Sequence, residues 1–235
     1  MKRSFRFARL PVLAVVPFVC LATTAKAALF EGSASAVFGT PTFSSVGAVF
    51  TGIGTNTFKS GHPVAGFSAS TYQVDGLGFS TTGHNPFVIA DLTYTNGPTY
   101  AITNVDAVPL DITLAFTSPG GISKTFAVGF EFEFTLNNTG HPVHDADVLR
   151  ILAGTSSTSF SAFGSSWTFE LLGFSNDMGS TIDDTFVLAE GDVTRSQLVA
   201  NITRVSVSEP ASLALIGLGL AAIGFSSRRK LLRID

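Results

Sequence analysis

The chain is short of cysteine, of tryptophan and of charge. Its single cysteine, Cys20, lies in the first thirty residues, so the 207 that follow Ala28 hold no disulfide, thiol nucleophile or Cys-based metal site. Cys20 precedes Leu21-Ala22 instead of following small residues, which argues against a lipid-anchored cysteine. There is no Gly-x-Ser-x-Gly elbow and no His-Glu-x-x-His pair, so the common hydrolase and metalloprotease signatures are missing. Between residues 28 and 208 only Lys59, Lys124, Arg150, Arg195 and Arg204 are basic, against fifteen acidic side chains, a net charge of −10. Such a surface is unsuited to nucleic acid or an anionic membrane as partner. Nor does any stretch of 28–207 show a long helical period.

What is present is organised in three parts. Lys2, Arg3, Arg6 and Arg9 precede an apolar run, Leu10 to Ala22, and Ala25-Lys26-Ala27 offers an A-x-A cleavage site. This is the layout of a secretory signal peptide, residues 1–27, a short apolar helix with Ala28 as the first mature residue. The other end reads Ser208-Glu209-Pro210, then an uncharged apolar segment to Phe225, then Arg228-Arg229-Lys230. As a helix, Ala211 to Phe225 spans about 22 Å at ~1.5 Å per residue, short of the ~30 Å hydrocarbon core. Ser226, Ser227 and the snorkelling arginine stems extend it, so residues 211–227 are expected to form a single, marginal transmembrane helix. The basic cluster acts as a membrane stop and places the preceding domain outside the cytoplasm.

The tail closely resembles the PEP-CTERM sorting signal of Gram-negative bacteria, with its Pro-Glu-Pro motif, short apolar segment and arginine-rich end. Ser208 stands where that motif's first proline is usual. The resemblance covers residues 208–233. It implies export, a transient membrane hold, and processing at Ser208-Glu209-Pro210 by an exosortase, a membrane protease/transpeptidase associated with exopolysaccharide production. The expected destination is the cell surface or a biofilm matrix.

Residues 28–207 read as an all-β domain, an antiparallel two-sheet sandwich of jelly-roll type with about ten strands. The clearest strand is Thr125 to Leu136, where Phe126, Val128, Phe130, Phe132, Phe134 and Leu136 alternate with Thr125, Ala127, Gly129, Glu131, Glu133 and Thr135. Six matches to a period of two exclude a helix, and the phenylalanine face is the expected core. Leu110 to Thr117 alternates likewise, and Ser118-Pro119-Gly120-Gly121 between them is a turn signal, so a hairpin 110–117/124–136 is predicted. Further strands are expected at 29–38, 46–53, 74–80, 87–95, 147–152, 166–174, 184–190 and 198–207, with a short helical turn at 191–198. Trp167 alternates with Phe169 and Leu171, which puts it in the core.

Two passages, Asn85 to Gly97 and Phe186-Val187-Leu188-Ala189-Glu190-Gly191 with Gln197 to Thr203, are similar to the choice-of-anchor K domain of exported proteins. That resemblance implies a surface location and no particular chemistry.

The best candidate site is the segment from Asn137 to Asp147. His141 and His144 offer nitrogen ligands to a transition metal, and Asp145 and Asp147 offer oxygen ligands to Ca²⁺. Against this, a proline sits inside His-x-x-His, and Asp-Ala-Asp lacks the glycine and distal glutamate of a Ca²⁺ loop, so a polar loop capped by an aspartate is the simpler expectation. His62 and His84 would join it only if the fold carried them to one end. Tyr72, Tyr94, Tyr100 and Trp167 are the aromatics available for stacking on sugars. The sequence reading is therefore an exported, non-enzymatic surface or matrix protein. A carbohydrate- or Ca²⁺-binding module is the alternative, and a secreted metal-dependent hydrolase the next.

Overall fold

In a computed structural model the protein is described over residues 28–135, 141, 144–152, 157–205 and 216–220. Thirteen strands form among them: β1 (Phe30–Phe38), β2 (Phe50–Thr51), β3 (Thr57–Ser60), β4 (Ser70–Gly76), β5 (Gly78–Thr81), β6 (Phe87–Thr95), β7 (Ala107–Ser118), β8 (Ile122–Glu133), β9 (Asp147–Ile151), β10 (Ser157–Ala162), β11 (Ser165–Ser175), β12 (Thr185–Leu188) and β13 (Val193–Arg204). They make two antiparallel, strongly curled half-barrel sheets. One has the order β12-β9-β8-β7-β1-β5, the other β10-β11-β13-β6-β4-β3-β2.

The period of two dictates which face is inside. In β8, Phe126, Val128, Phe130 and Phe132 are buried while Ala127, Glu131 and Glu133 are exposed. β7 pairs with it in the register Ile112↔Phe126 and Leu110↔Val128, and the chain reverses through Ser118-Pro119-Gly120-Gly121. The hairpin is the one expected with shifted ends: β7 begins at Ala107, and β8 runs from Ile122 and stops at Glu133; Phe134 continues the apolar row outside the strand, half-buried against Phe132.

The facing sheets meet through aromatic rings. Phe30 of β1 lies edge-on to Trp167 of β11 at 4.8 Å and to Phe160 of β10 at 5.9 Å in the other sheet, and to Phe116 of β7 in its own sheet at 6.0 Å. Tyr72 of β4 stacks on its cross-strand neighbour Tyr94 of β6 at 4.4 Å, and Phe132 of β8 closes on Tyr72 from the other sheet at 4.6 Å. Full burial of each such ring is worth about 1.5–3 kcal/mol, and offset or edge-on pairs add about 0.5–1.5 kcal/mol. Trp167 is core as expected, its Nε1 donating to the Ala162 carbonyl at 2.9 Å.

Three expectations are corrected. The single strand 74–80 is two strands in different sheets, because the chain crosses over at Leu77. Its N–H donates to Ile89 O at 2.8 Å in one sheet, and its carbonyl accepts from Ala34 N at 2.8 Å in the other. Gly76 makes the crossing possible: a Cβ there would sit 2.0 Å from the Ala34 carbonyl oxygen. The helical turn at 191–198 is instead strand, since β13 begins at Val193 and zips along β6 from Thr95 to Phe87. The strand expected at 46–53 shrinks to β2, while β3 and β10, both rich in Ser and Thr, went unread.

The signal peptide, with Ala25 and Ala27, lies outside the described residues, as do Ser208, Glu209, Pro210, Arg228, Arg229 and Lys230. Of the expected membrane segment 211–227, residues 216–220 are described and are helical. No helix among the described residues is long and apolar enough to cross a membrane.

Candidate functional site

The polar side chains gather at one end of the domain, where β6 finishes. Asn96 follows β6, is fully buried, and donates through Nδ2 to Leu188 O of β12 at 3.1 Å. Leu188 is the register partner of Asp147, the first residue of β9. Asp147 is only 5% exposed. Its Oδ1 accepts from the backbone N–H of Thr135 at 2.8 Å and from the Thr135 hydroxyl at 3.3 Å. The aspartate cap expected in this segment is therefore real, but it caps the end of β8 and not its own turn.

Burial is the largest influence on the Asp147 carboxyl and raises its pKa above the usual carboxylate value. The two Thr135 hydrogen bonds and one from Asn96 oppose the rise without cancelling it. The same burial raises the phenols beneath it. Tyr72 is shifted upward by desolvation and then by neighbouring Tyr94, and Tyr94 by desolvation and then by the Asp147 charge.

Around Asp147 the structure opens a cavity of about 350 Å³. Asp147, Thr135 and Phe134 line it from the β8–β9 side, and Glu190 from the turn after β12. Thr99, Ala101, Ile102, Asn104 and Asp106 line it from the loop before β7, together with Ser44 and Ser45, which bond to that loop. That loop is braced from within and from the 44–45 segment: Asn104 Nδ2 donates to Thr99 Oγ1 at 2.9 Å, Ser44 Oγ to Asp106 Oδ1 at 3.3 Å, and Ser45 Oγ to the Ile102 carbonyl. Apart from Asp147, none of these residues was legible as part of a site. They come from four separate segments, and no spacing rule links them.

The four metal candidates divide. The His141 and His144 rings meet edge-to-face at 4.9 Å, and both residues are exposed. The carbonyl of His141 accepts from the amides of His144 at 2.9 Å and Asp145 at 3.0 Å. Asp145 and Asp147 are buried. Among the described residues no group of three or more His, Cys, Asp or Glu side chains is arranged to hold a metal ion.

His62 lies near the polar end, its ring stacked on Tyr100 at 5.6 Å and its N–H bonded to Thr103 Oγ1. His84 sits beyond the other end of nine-residue β6, which spans about 27 Å at ~3.4 Å per residue. There, with Ser161, Ser165, Ser166 and Arg204, it lines a larger cleft of about 820 Å³, with no carboxylate among the described lining residues. The two histidines therefore do not share a site. Of the four aromatics considered for sugar stacking, Tyr72, Tyr94 and Trp167 are buried, and Tyr100 is 50% exposed. Glu133, on the outer face of β8, is paired with Arg150 at 2.8 Å.

The described architecture defines a mostly β domain of two curled antiparallel sheets, closed at Val205 by a bond from its N–H to Ser166 O at 2.9 Å. The segment that follows is identified by comparison: residues 206–230 match the PEP-CTERM protein-sorting motif. That motif implies an exported protein, sorted to the cell surface and processed by exosortase. The match holds with Ser208 in place of the first proline. No curated protein matches the chain.

Proposed function

We propose that this chain is a non-enzymatic component of the cell surface or extracellular matrix, delivered by its N-terminal signal and released from the membrane by an exosortase-type enzyme. The observation that carries this reading is the position of the sorting motif. The β domain makes its last described backbone bond at Val205, and the matched segment begins at residue 206. A cut near Ser208-Glu209-Pro210 removes the apolar segment and the Arg228-Arg229-Lys230 stop without touching any of the described strands. Exopolysaccharide is the partner that the sorting route suggests. The similarity of 85–97, 186–191 and 197–203 to the choice-of-anchor K domain supports the same destination. Those residues include β6 and the stretch Gln197 to Thr203 of β13, strands that pair side by side within the second sheet.

Mass spectrometry of the cell-envelope and medium fractions tests the reading. The expected mature species begins at Ala28 and ends near residue 209. A mature species that still ends in Leu231-Leu232-Arg233-Ile234-Asp235 overturns the processing step.

A further inference from the structure

The net charge of the domain, read along the sequence, hides where that charge sits. Several strand ends meet where the chain leaves the domain. Phe30 at the start of β1 lies opposite Thr81 at the end of β5, and Glu31 opposite Ser118 at the end of β7. Phe116 and Ile122 frame the β7–β8 turn, Ala162 and Ser165 the β10–β11 turn, and Trp167 pairs with Arg204, the last residue of β13. The His84 N–H reaches Ile202 O at 2.8 Å. Over residues 28–32, 79–87, 116–126, 160–168 and 202–205 the charged side chains are Glu31, Lys124 and Arg204, a net +1. The other residues of 28–208 carry fourteen acidic and three basic side chains, −11.

Both cations stand at the rim of this end. Arg204 comes two residues after buried Ile202, and Lys124 two before buried Phe126. Each therefore continues the inward-facing row of its strand past the point where the core stops. Neither forms an ion pair among the described residues. Leu29, Phe163 and Val205 are exposed apolar residues at the same end. Phe163 is 51% exposed in the β10–β11 turn, with its ring against Phe30 at 5.4 Å.

Chain length limits what this end can meet. From Val205 to Ala211, the start of the apolar segment, is at most about 22 Å at ~3.6 Å per residue. With 211–227 held in a bilayer, the point of exit turns this end of the domain toward the headgroups. A net +1 with exposed apolar side chains suits an anionic lipid surface, whereas the rest of the domain is repelled by it. The acidic polar end stands at the opposite end of nine-residue β6, some three Debye lengths away at about 8 Å each, and is screened from the lipid.

We infer that this end is a membrane-contact face. Leu29, Phe163 and Val205 sit among the lipid headgroups, and Lys124 and Arg204 meet their phosphates while the tail is held. The inference rests on the reading of 211–227 as a membrane-held segment.

The test uses the full chain, with Cys20→Ser, in vesicles of equal parts phosphatidylcholine and phosphatidylglycerol. Single cysteines at Phe163→Cys, Thr82→Cys or Ile102→Cys carry an environment-sensitive fluorophore, and Ile102 belongs to the polar end. Emission at positions 82 and 163 is expected to rise at least twofold over the detergent-solubilised chain, and at position 102 to stay the same. Lys124→Glu/Arg204→Glu is expected to at least halve the gain at position 82. Lys59→Glu/Arg195→Glu makes the same charge change elsewhere and is expected to leave it unaltered. Thermal melts check that every variant folds. Protection of Arg228, Arg229 and Lys230 from trypsin added outside the vesicles reports separately that the tail is inserted. A protected tail without a gain at positions 82 and 163 overturns the contact face and leaves the membrane hold standing. An equal gain at position 102, or an equal loss in both charge variants, also overturns it. An unprotected tail overturns the membrane hold and the contact face together.

Discussion

Thr135 and Asp147 hold the polar end together. The backbone N–H of Thr135 donates to Asp147 Oδ1 at 2.8 Å, and its hydroxyl approaches the same oxygen at 3.3 Å. β8 has ended two residues earlier and β9 begins at Asp147, so a side-chain carboxylate takes over where the ladder of backbone bonds stops. A buried amide left without an acceptor costs about 1–3 kcal/mol. Asp147 avoids that cost at the expense of bringing a carboxylate into a site only 5% exposed.

The pH dependence of Asp147 follows from the sign of its shift. Its pKa is raised in the folded state, chiefly by burial. The folded form then holds the proton more tightly than the unfolded form. The resulting stability is complete below the unfolded carboxylate pKa and is lost as pH rises through the folded value. Asp147→Asn keeps an acceptor for the Thr135 N–H and removes the buried charge. It is expected to melt at or above the parent temperature at neutral pH, with the difference shrinking on acidification toward pH ~4. Asp147→Ala leaves Thr135 without its acceptor and is expected to lose about 1–3 kcal/mol in denaturant unfolding. An Asp147→Asn variant destabilised as much as Asp147→Ala at neutral pH would contradict the account.

Phe30 ties both sheets together through Phe116, Phe160 and Trp167. Truncation to alanine removes a fully buried ring and leaves a cavity, so Phe30→Ala is expected to cost about 3–5 kcal/mol. Val187 on edge strand β12 is 55% exposed, and Val187→Ala is expected to stay within about 0.5 kcal/mol of the parent. Urea unfolding of the two variants in parallel makes the comparison.

Gly76 is required for space and not for an unusual backbone angle. An added Cβ would lie 2.0 Å from Ala34 O and 2.9 Å from Ser35 Cα, both backbone atoms of β1 that cannot swing aside. Gly76→Ala must therefore push β4 and β1 apart at the crossover, and the expected loss is about 1–3 kcal/mol. Gly121→Ala provides the contrast. Its Cβ would meet nothing within 4 Å, and its penalty comes only from a φ of +79°. Amide hydrogen exchange distinguishes the two: Gly76→Ala is expected to lower protection at Leu77 and Ala34, and Gly121→Ala only at the β7–β8 turn.

Arg228, Arg229 and Lys230 lie within the matched sorting motif, and their proposed role is to stop the apolar segment in the membrane. Replacing all three by glutamine is expected to leave the melting temperature of the β domain unchanged while lowering the yield of processed species at the surface. Immunoblotting of fractionated cells reads the second effect. Normal processing in the triple variant would remove the stop from the mechanism.

Alternation of side chains made the strands legible one at a time. β6 is found at the boundaries read from 87–95, β1 and β11 to within a residue, and the Phe face of β8 is the buried one. β3 and β10 escaped because Thr57, Lys59, Ser60, Ser157, Thr158 and Ser159 show little contrast between faces, although Phe58 and Phe160 are buried. The cavity was not legible at all. Asp106, Thr99 and Glu190 are ordinary loop residues until β7, β6 and β12 carry them to one end.

The amino-acid sequence by itself determined the three-part order of export signal, β domain and sorting tail, because charge, apolar length and turn chemistry are local properties. It also determined which side of each long strand is apolar. Only the tertiary structure decided which strand lies beside which, that Leu77 hands the chain from one sheet to the other, and that the buried Asp147 accepts from Thr135 beside a cavity. A period of two assigns a residue to a face but says nothing of partners. Those are chosen by register and packing among segments far apart in the chain, where the lone Gly76 and the buried Asp147 acquire their meaning.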